Sequence, residues 1–350
     1  PTRLAALSST AIAALSDKQM SALSATQMAV MTTTQIAAMT TPQIAGLSST
    51  LLASLNTSQM RAFTSTQINA LSDTQIATLG ATQWAALAPT QLVNLSLTAI
   101  NALTTTQIAA LTPAQIRGLT KTALSSLTAD QMGALTSTQL MSLASTQISG
   151  LTGEDMGELS VTALASLTAT EISFLSITAL QGLTEDQISS LSTTQIKGLT
   201  RTQAAAMALT QIAALSTTQV GVLSTTAISG LTATSLASLT SSQLAVLSSS
   251  QISALGASGI CGLSETQISL LTAGQIAALT TTQVRSLPPA SVEALTNTQI
   301  STLSTSQISA LTSTNLSALS AYQMAALTST QLKSLVASQL AGLRSDDVAE

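Results

Sequence analysis

The chain has 350 residues with 7% charged, 1% aromatic, no histidine, one cysteine and a net charge of −4. Ten scattered Lys and Arg assemble no basic face for phosphates, so a nucleic-acid partner is not expected, and without His neither a Ser-His-Asp triad nor a Cys/His metal site can be built. Apolar residues make up 45%, yet polar residues interrupt every stretch before the roughly 18 consecutive apolar residues a membrane span needs, so no membrane insertion is expected.

From Leu7 to Leu343 every eighth residue is Leu, Met or Phe, giving 43 anchors in one register. A fixed short period predicts stacked repeats that grow by adding units, here a single continuous array over residues 1–350 and a segment of a longer array. One long helix is excluded, because eight residues at about 100° each rotate successive anchors by about 80° and no face stays buried. Eight is neither a heptad nor an eleven-residue multiple, so a coiled coil is excluded as well.

The helix therefore breaks once per octad, and the break is encoded. Ser or Thr follows the anchor in 34 of 43 octads, and Gln stands three residues later in 29 of 43, which is the capping-box spacing. In Leu103 to Ile116, Thr104 with Gln107 and Thr112 with Gln115 are the predicted helix caps, and Leu103, Ile108, Leu111 and Ile116 the predicted core. The anchor then precedes the cap and the Ile occupies the fourth helical position, a hydrophobic staple. These assignments predict an all-α fold, a solenoid of very short capped helices lined by the anchors and by a second apolar row from Ile12 to Val348. Small residues between the rows would let successive helices approach closely. Solubility would rest on Ser, Thr and Gln.

Irregularities in chain order fit the same phase. Asp17, Asp73 and Asp130 fall in first turns, as do 11 of the 14 acidic residues, whereas Arg61, Arg117, Lys197, Arg285 and Lys333 share one last-turn site, the distribution a helix dipole favours. Lys18, Lys121, Arg201 and Glu293 run against it. Pro42, Pro89, Pro113, Pro288 and Pro289 all sit at caps or in the first two helical positions, where a missing N–H does no harm. Phe63 and Trp84 read as core. The acidic run Glu154, Asp155, Glu158 lacks calcium-loop spacing and reads as an acidic helix start, with weak divalent binding the alternative. Phe174 and Leu209 are oversized for their columns and could mark contacts, and Ala204 is small enough to leave a gap in the Ile row. Cys261 reads as a bland substitution, with an interchain bridge or reactive thiol as alternatives. Asn56, Asn94 and Asn315 begin glycosylation triplets that a Ser/Thr-rich chain makes by chance. Asp346-Asp347 looks like one more helix start. The competing fold is a β-solenoid, in which Thr-x-Thr would lie on one strand face as a flat ladder suited to ice, but its corners need more Gly, Asn or Asp than 16 glycines provide.

The octad Leu103-Thr104-Thr105-Thr106-Gln107-Ile108-Ala109-Ala110 resembles the arrays inside very large bacterial secreted or surface proteins described as adhesin-like or haem-utilisation-like, and the resemblance covers the whole chain. A looser similarity links the single octad from Leu287 to Leu295 to mesothelin-like superhelical adhesion proteins. What the first resemblance implies is an extracellular or cell-surface element. Together with the composition it predicts a non-enzymatic stalk, spacer or filament-forming subunit with no cofactor, self-associating end to end or with flanking repeats of the same polypeptide. The alternative is an adhesive or ligand-binding module using a Thr-rich surface, for polysaccharide or ice.

Overall fold

A computed structural model of the chain describes residues 2–93 and 95–343; Asn94 and the Asp346-Asp347 helix start lie outside the described residues. Among the described residues there are 43 α-helices and no strand, so the β-solenoid is set aside. Each helix has four to six residues, too short to persist alone because nucleation costs more than one or two intrahelical bonds return.

Most helix starts repeat one local geometry. Thr104 is extended, at φ −74° and ψ 158°, and its Oγ1 accepts the backbone N–H of Gln107 at 3.2 Å, while Gln107 Oε1 accepts the N–H of Thr104 at 2.7 Å. Thr112 and Gln115 form the same reciprocal pair at 3.3 and 2.7 Å. Where the pair is complete, two backbone donors at the helix start are satisfied reciprocally; caps such as Gly256 and Pro288 make no side-chain bond. Pro42, Pro89, Pro113 and Pro289 occupy first or second helical positions and Pro288 is an N-cap.

Helix ends are unusual. None uses the left-handed glycine cap, and among the described residues no φ is positive. The chain instead leaves through the extended anchor, as at Leu111 (φ −61°, ψ 137°), directly into the next cap. This explains how 43 helices coexist with few glycines, and it leaves the last carbonyls of each helix in need of other donors.

Contacts divide the chain into two compact units, residues 1–182 and 183–350. Each is a stack of octads in which a helix packs against the third one along the chain, as Thr33–Ala38 does on Thr57–Ala62 in the first unit and Arg201–Ala206 on Thr225–Ile228 in the second. The small residues thus admit a helix three octads away, not the next in sequence. At one such crossing the carbonyl of Gly153 lies so close to Gly182 that a Cβ on Gly182 would overlap it, and only glycine permits this approach.

The Ile row and the anchors form the core of each unit. Ile108 and Ile116 are fully buried, and Leu103 and Leu111 are nearly so. Trp84, in the Ile row, is fully buried with its Nε1 donating to Ile76 O at 3.4 Å, and Phe63 is buried among the anchors. Ala204 is buried in its column, whereas Phe174, Leu209 and Tyr322 are exposed on the outside. No helix among the described residues is long and apolar enough to cross a membrane.

Candidate functional site, the glutamine ladder between turns

The Gln column does more than cap its own helix. Gln107 Oε1 is committed to Thr104, which turns the amide nitrogen inward, where Nε2 donates to Ile76 O at 2.8 Å and to Leu79 O at 2.6 Å. Those carbonyls lie 31 and 28 residues earlier and belong to the C-terminal end of a helix four octads back. Gln115 repeats the pattern on Trp84 O at 2.8 Å and Leu87 O at 2.7 Å. One side chain therefore completes the N-terminus of its own helix and the C-terminus of another, on the preceding turn.

The same offsets recur along both units. Gln43 reaches Ile12 and Leu15, Gln75 reaches Ile44 and Leu47, Gln283 reaches Ile252 and Leu255, and Gln339 reaches Ile308 and Leu311. Helix packing at three octads and hydrogen bonding at four set the superhelical turn of each unit between three and four octads. The inward amide is dry: Gln107 is 2% exposed and Gln115 1%. The expectation that Gln contributes to solubility is therefore corrected. Ser and Thr at the caps and first helical positions meet water; the Gln amides hold turns together.

Interruptions show what the ladder requires. Asn315 stands in the Gln column, but its shorter side chain donates to Leu287 O alone, at 2.9 Å. The amide of Asn56, the first glycosylation triplet, is engaged as an N-cap accepting from Gln59 N at 3.0 Å. Asp155 occupies the Gln column at 6% exposure, accepts the N–H of Thr152 at 2.7 Å, and offers no N–H to Leu124 O or Leu127 O, the carbonyls 31 and 28 residues back. A notch of about 200 Å³ lined by Leu127, Thr128, Asp155 and Glu158 marks the missing length. Glu154 and Glu158 point outward and are exposed. No group of three His, Cys, Asp or Glu side chains among the described residues is arranged to hold a metal ion.

Asp155→Gln should therefore stabilise the array. Two additional buried bonds, to Leu124 O and Leu127 O, contribute about 1 to 3 kcal/mol at the usual net value. Urea unfolding followed by circular dichroism should show a higher midpoint, and an unchanged or lower midpoint would show that the ladder bonds carry no net stability.

Cys261 forms no disulfide; its thiol donates to Ser286 O at 2.7 Å and Ala257 O at 3.2 Å, and burial pushes its pKa above the ordinary value. It is a poor nucleophile at neutral pH, since the thiolate is the reactive form.

These features define an all-α repeat protein, in which octads complete their hydrogen bonds against octads of the neighbouring turn. A protein-family model described as the ALTTAQ repeat matches residues 52–81. The hexapeptide of that description falls on the register seen here: in Ala102-Leu103-Thr104-Thr105-Thr106-Gln107 it runs from the residue before the anchor, through the cap, to the ladder glutamine. A search of curated proteins finds no match to the chain.

Proposed function

We propose that the chain is a non-enzymatic structural spacer, an extracellular stalk or filament segment at the surface of the cell that makes it. The observation that carries this reading is the ladder itself. The same side chain makes the same inter-turn bonds in octad after octad, so length is added without altering any existing contact, which suits reach more than recognition. The low charge supports it, because few Lys and Arg offer few cleavage sites to trypsin-like proteases. The resemblance to octad arrays of bacterial secreted and surface proteins points the same way.

The reading as a Thr-surface binder has less support. Pairs such as Thr105 and Thr106 sit at the first two positions of separate short helices, not on a strand face that would present a flat hydroxyl ladder. Antibodies raised against the chain should label unpermeabilised cells that produce it, at a distance from the membrane that grows when blocks of octads are inserted. Labelling only after permeabilisation would defeat the surface spacer.

A further inference from the structure

One turn of the first unit lacks the ladder altogether. In the Gln column, Asp155, Ala163, Glu171 and Ala179 follow one another, so four consecutive octads carry no Gln, whereas no other run without one exceeds two octads. Four octads fill a superhelical turn, since each turn takes between three and four. The carbonyls 31 and 28 residues back, from Leu124 and Leu127 to Ile148 and Leu151, therefore receive no amide from the column. Helix starts in the same stretch are intact. Ser160 and Ser176 accept the N–H of Ala163 and Ala179, both at 3.1 Å, and Thr168 forms the reciprocal pair with Glu171 at 2.6 and 3.2 Å. What is missing is the bond to the preceding turn; in its place a hydroxyl, Ser176 Oγ, reaches Leu151 O at 3.5 Å.

The apolar rows continue across this seam. Met156, Leu164, Ile172 and Leu180 are fully buried, and Leu151, Leu159 and Leu167 are nearly so. Apolar burial is non-directional and scales with area, whereas a hydrogen bond holds two groups at one distance and angle. Turns earlier in the unit have both. Gln59, Gln67, Gln75, Gln83 and Gln91 tie their octads to the carbonyls from Met28 to Phe63 without a gap. A helix of four to six residues persists only while its turn stays packed, so parting two turns also releases the backbone protection of both. We propose that the seam between residues 121–151 and 152–182 is a built-in yield point, where the first unit opens reversibly before its laddered turns do. Under tension or thermal excitation the array lengthens or bends at this turn first. The four departures act together, because a lone gap such as Ala99 or Ala123 is held in register by ladder bonds in the octads on either side. The inference goes beyond the spacer reading and does not depend on it, since a weak seam belongs to the array wherever it is displayed.

The experiment is native-state hydrogen exchange, read by mass spectrometry at urea concentrations below the unfolding midpoint, on the 350-residue chain and two double variants. In the parent, peptides from residues 121–182 should show protection about tenfold or more below that of peptides from residues 28–92. Asp155→Gln with Glu171→Gln restores donors in two of the four octads, using the notch beside Asp155 and a near-isosteric change at Glu171, and leaves only lone gaps at Ala163 and Ala179. That variant should raise protection over residues 121–182 toward the level of the laddered turns. Gln107→Ala with Gln115→Ala does the reverse: joined to Ala99 and Ala123, it makes a second gap of four octads from a residue the column already uses. It should keep the helical circular dichroism of the parent without urea, and a second opening should appear in residues 68–126. Equal protection of residues 121–182 and 28–92 in the parent overturns the proposal. So does a first variant that folds yet leaves the seam unchanged, or a second that opens nowhere new.

Discussion

Gln107→Glu should cost about 2 to 4 kcal/mol even though it preserves the capping box, because two buried carbonyls lose their side-chain donor and face a carboxylate. Glu can still accept the N–H of Thr104, as Glu171 does from Thr168 at 2.6 Å elsewhere in the chain. What it cannot do is donate to Ile76 O and Leu79 O, the bonds Gln107 makes at 2.8 and 2.6 Å. Glu171 shows how the array tolerates such a residue, for its side chain is partly exposed where most of the Gln column is buried. Thr104→Val removes only the local cap and should cost about 0.5 to 2 kcal/mol. Measured by urea unfolding, a Glu variant as stable as the parent would mean that the inter-turn bonds hold nothing.

A larger effect is expected at Ile108. Ile108→Asp places a carboxylate at a fully buried site with no cationic partner and should destabilise by about 4 kcal/mol or more, enough to melt the surrounding turns. Ala109→Arg, one residue along, should change stability by no more than about 0.5 kcal/mol, because Ala109 is exposed and Arg61 and Arg117 already occupy that octad site. Since each octad touches only nearby turns, hydrogen exchange in the Asp variant should show opening confined to the turns around residue 108. Uniform loss of protection along the chain would contradict that quasi-linear organisation, and equal damage from both substitutions would contradict the assigned faces.

The helical phase was legible because caps, prolines and charges act locally. Thr104 and Gln107 are three residues apart, within reach of each other's backbone whatever the rest of the chain does, and Pro42 or Pro113 is permitted only where an N–H is dispensable. The two core rows followed from the same phase. Sequence favoured the helical array over a β-coil through the capping spacing and the few glycines, although Thr-x-Thr alternation is compatible with both, and the described residues are helical with no strand.

The second role of Gln was not legible, and the reason is geometric. Partners 28 and 31 residues away are brought together by the superhelical turn, which depends on the angle each octad adds through its extended anchor and cap, and no local rule fixes that sum. A signal existed in the letters: Gln recurs far more strictly than the exposed positions beside it, which a cap alone does not demand when Glu would serve as well. Asp155 illustrates the difference. By sequence it is an acidic residue favourably placed in a first turn; in the fold it is a buried gap in a bond ladder. Sequence by itself therefore determined where each helix begins, which apolar rows turn inward and that the chain is an array, because those depend on contacts within one octad. Only tertiary structure decided how many octads make a turn and which carbonyls the glutamines reach, because those depend on residues that meet only after the chain has wound once around.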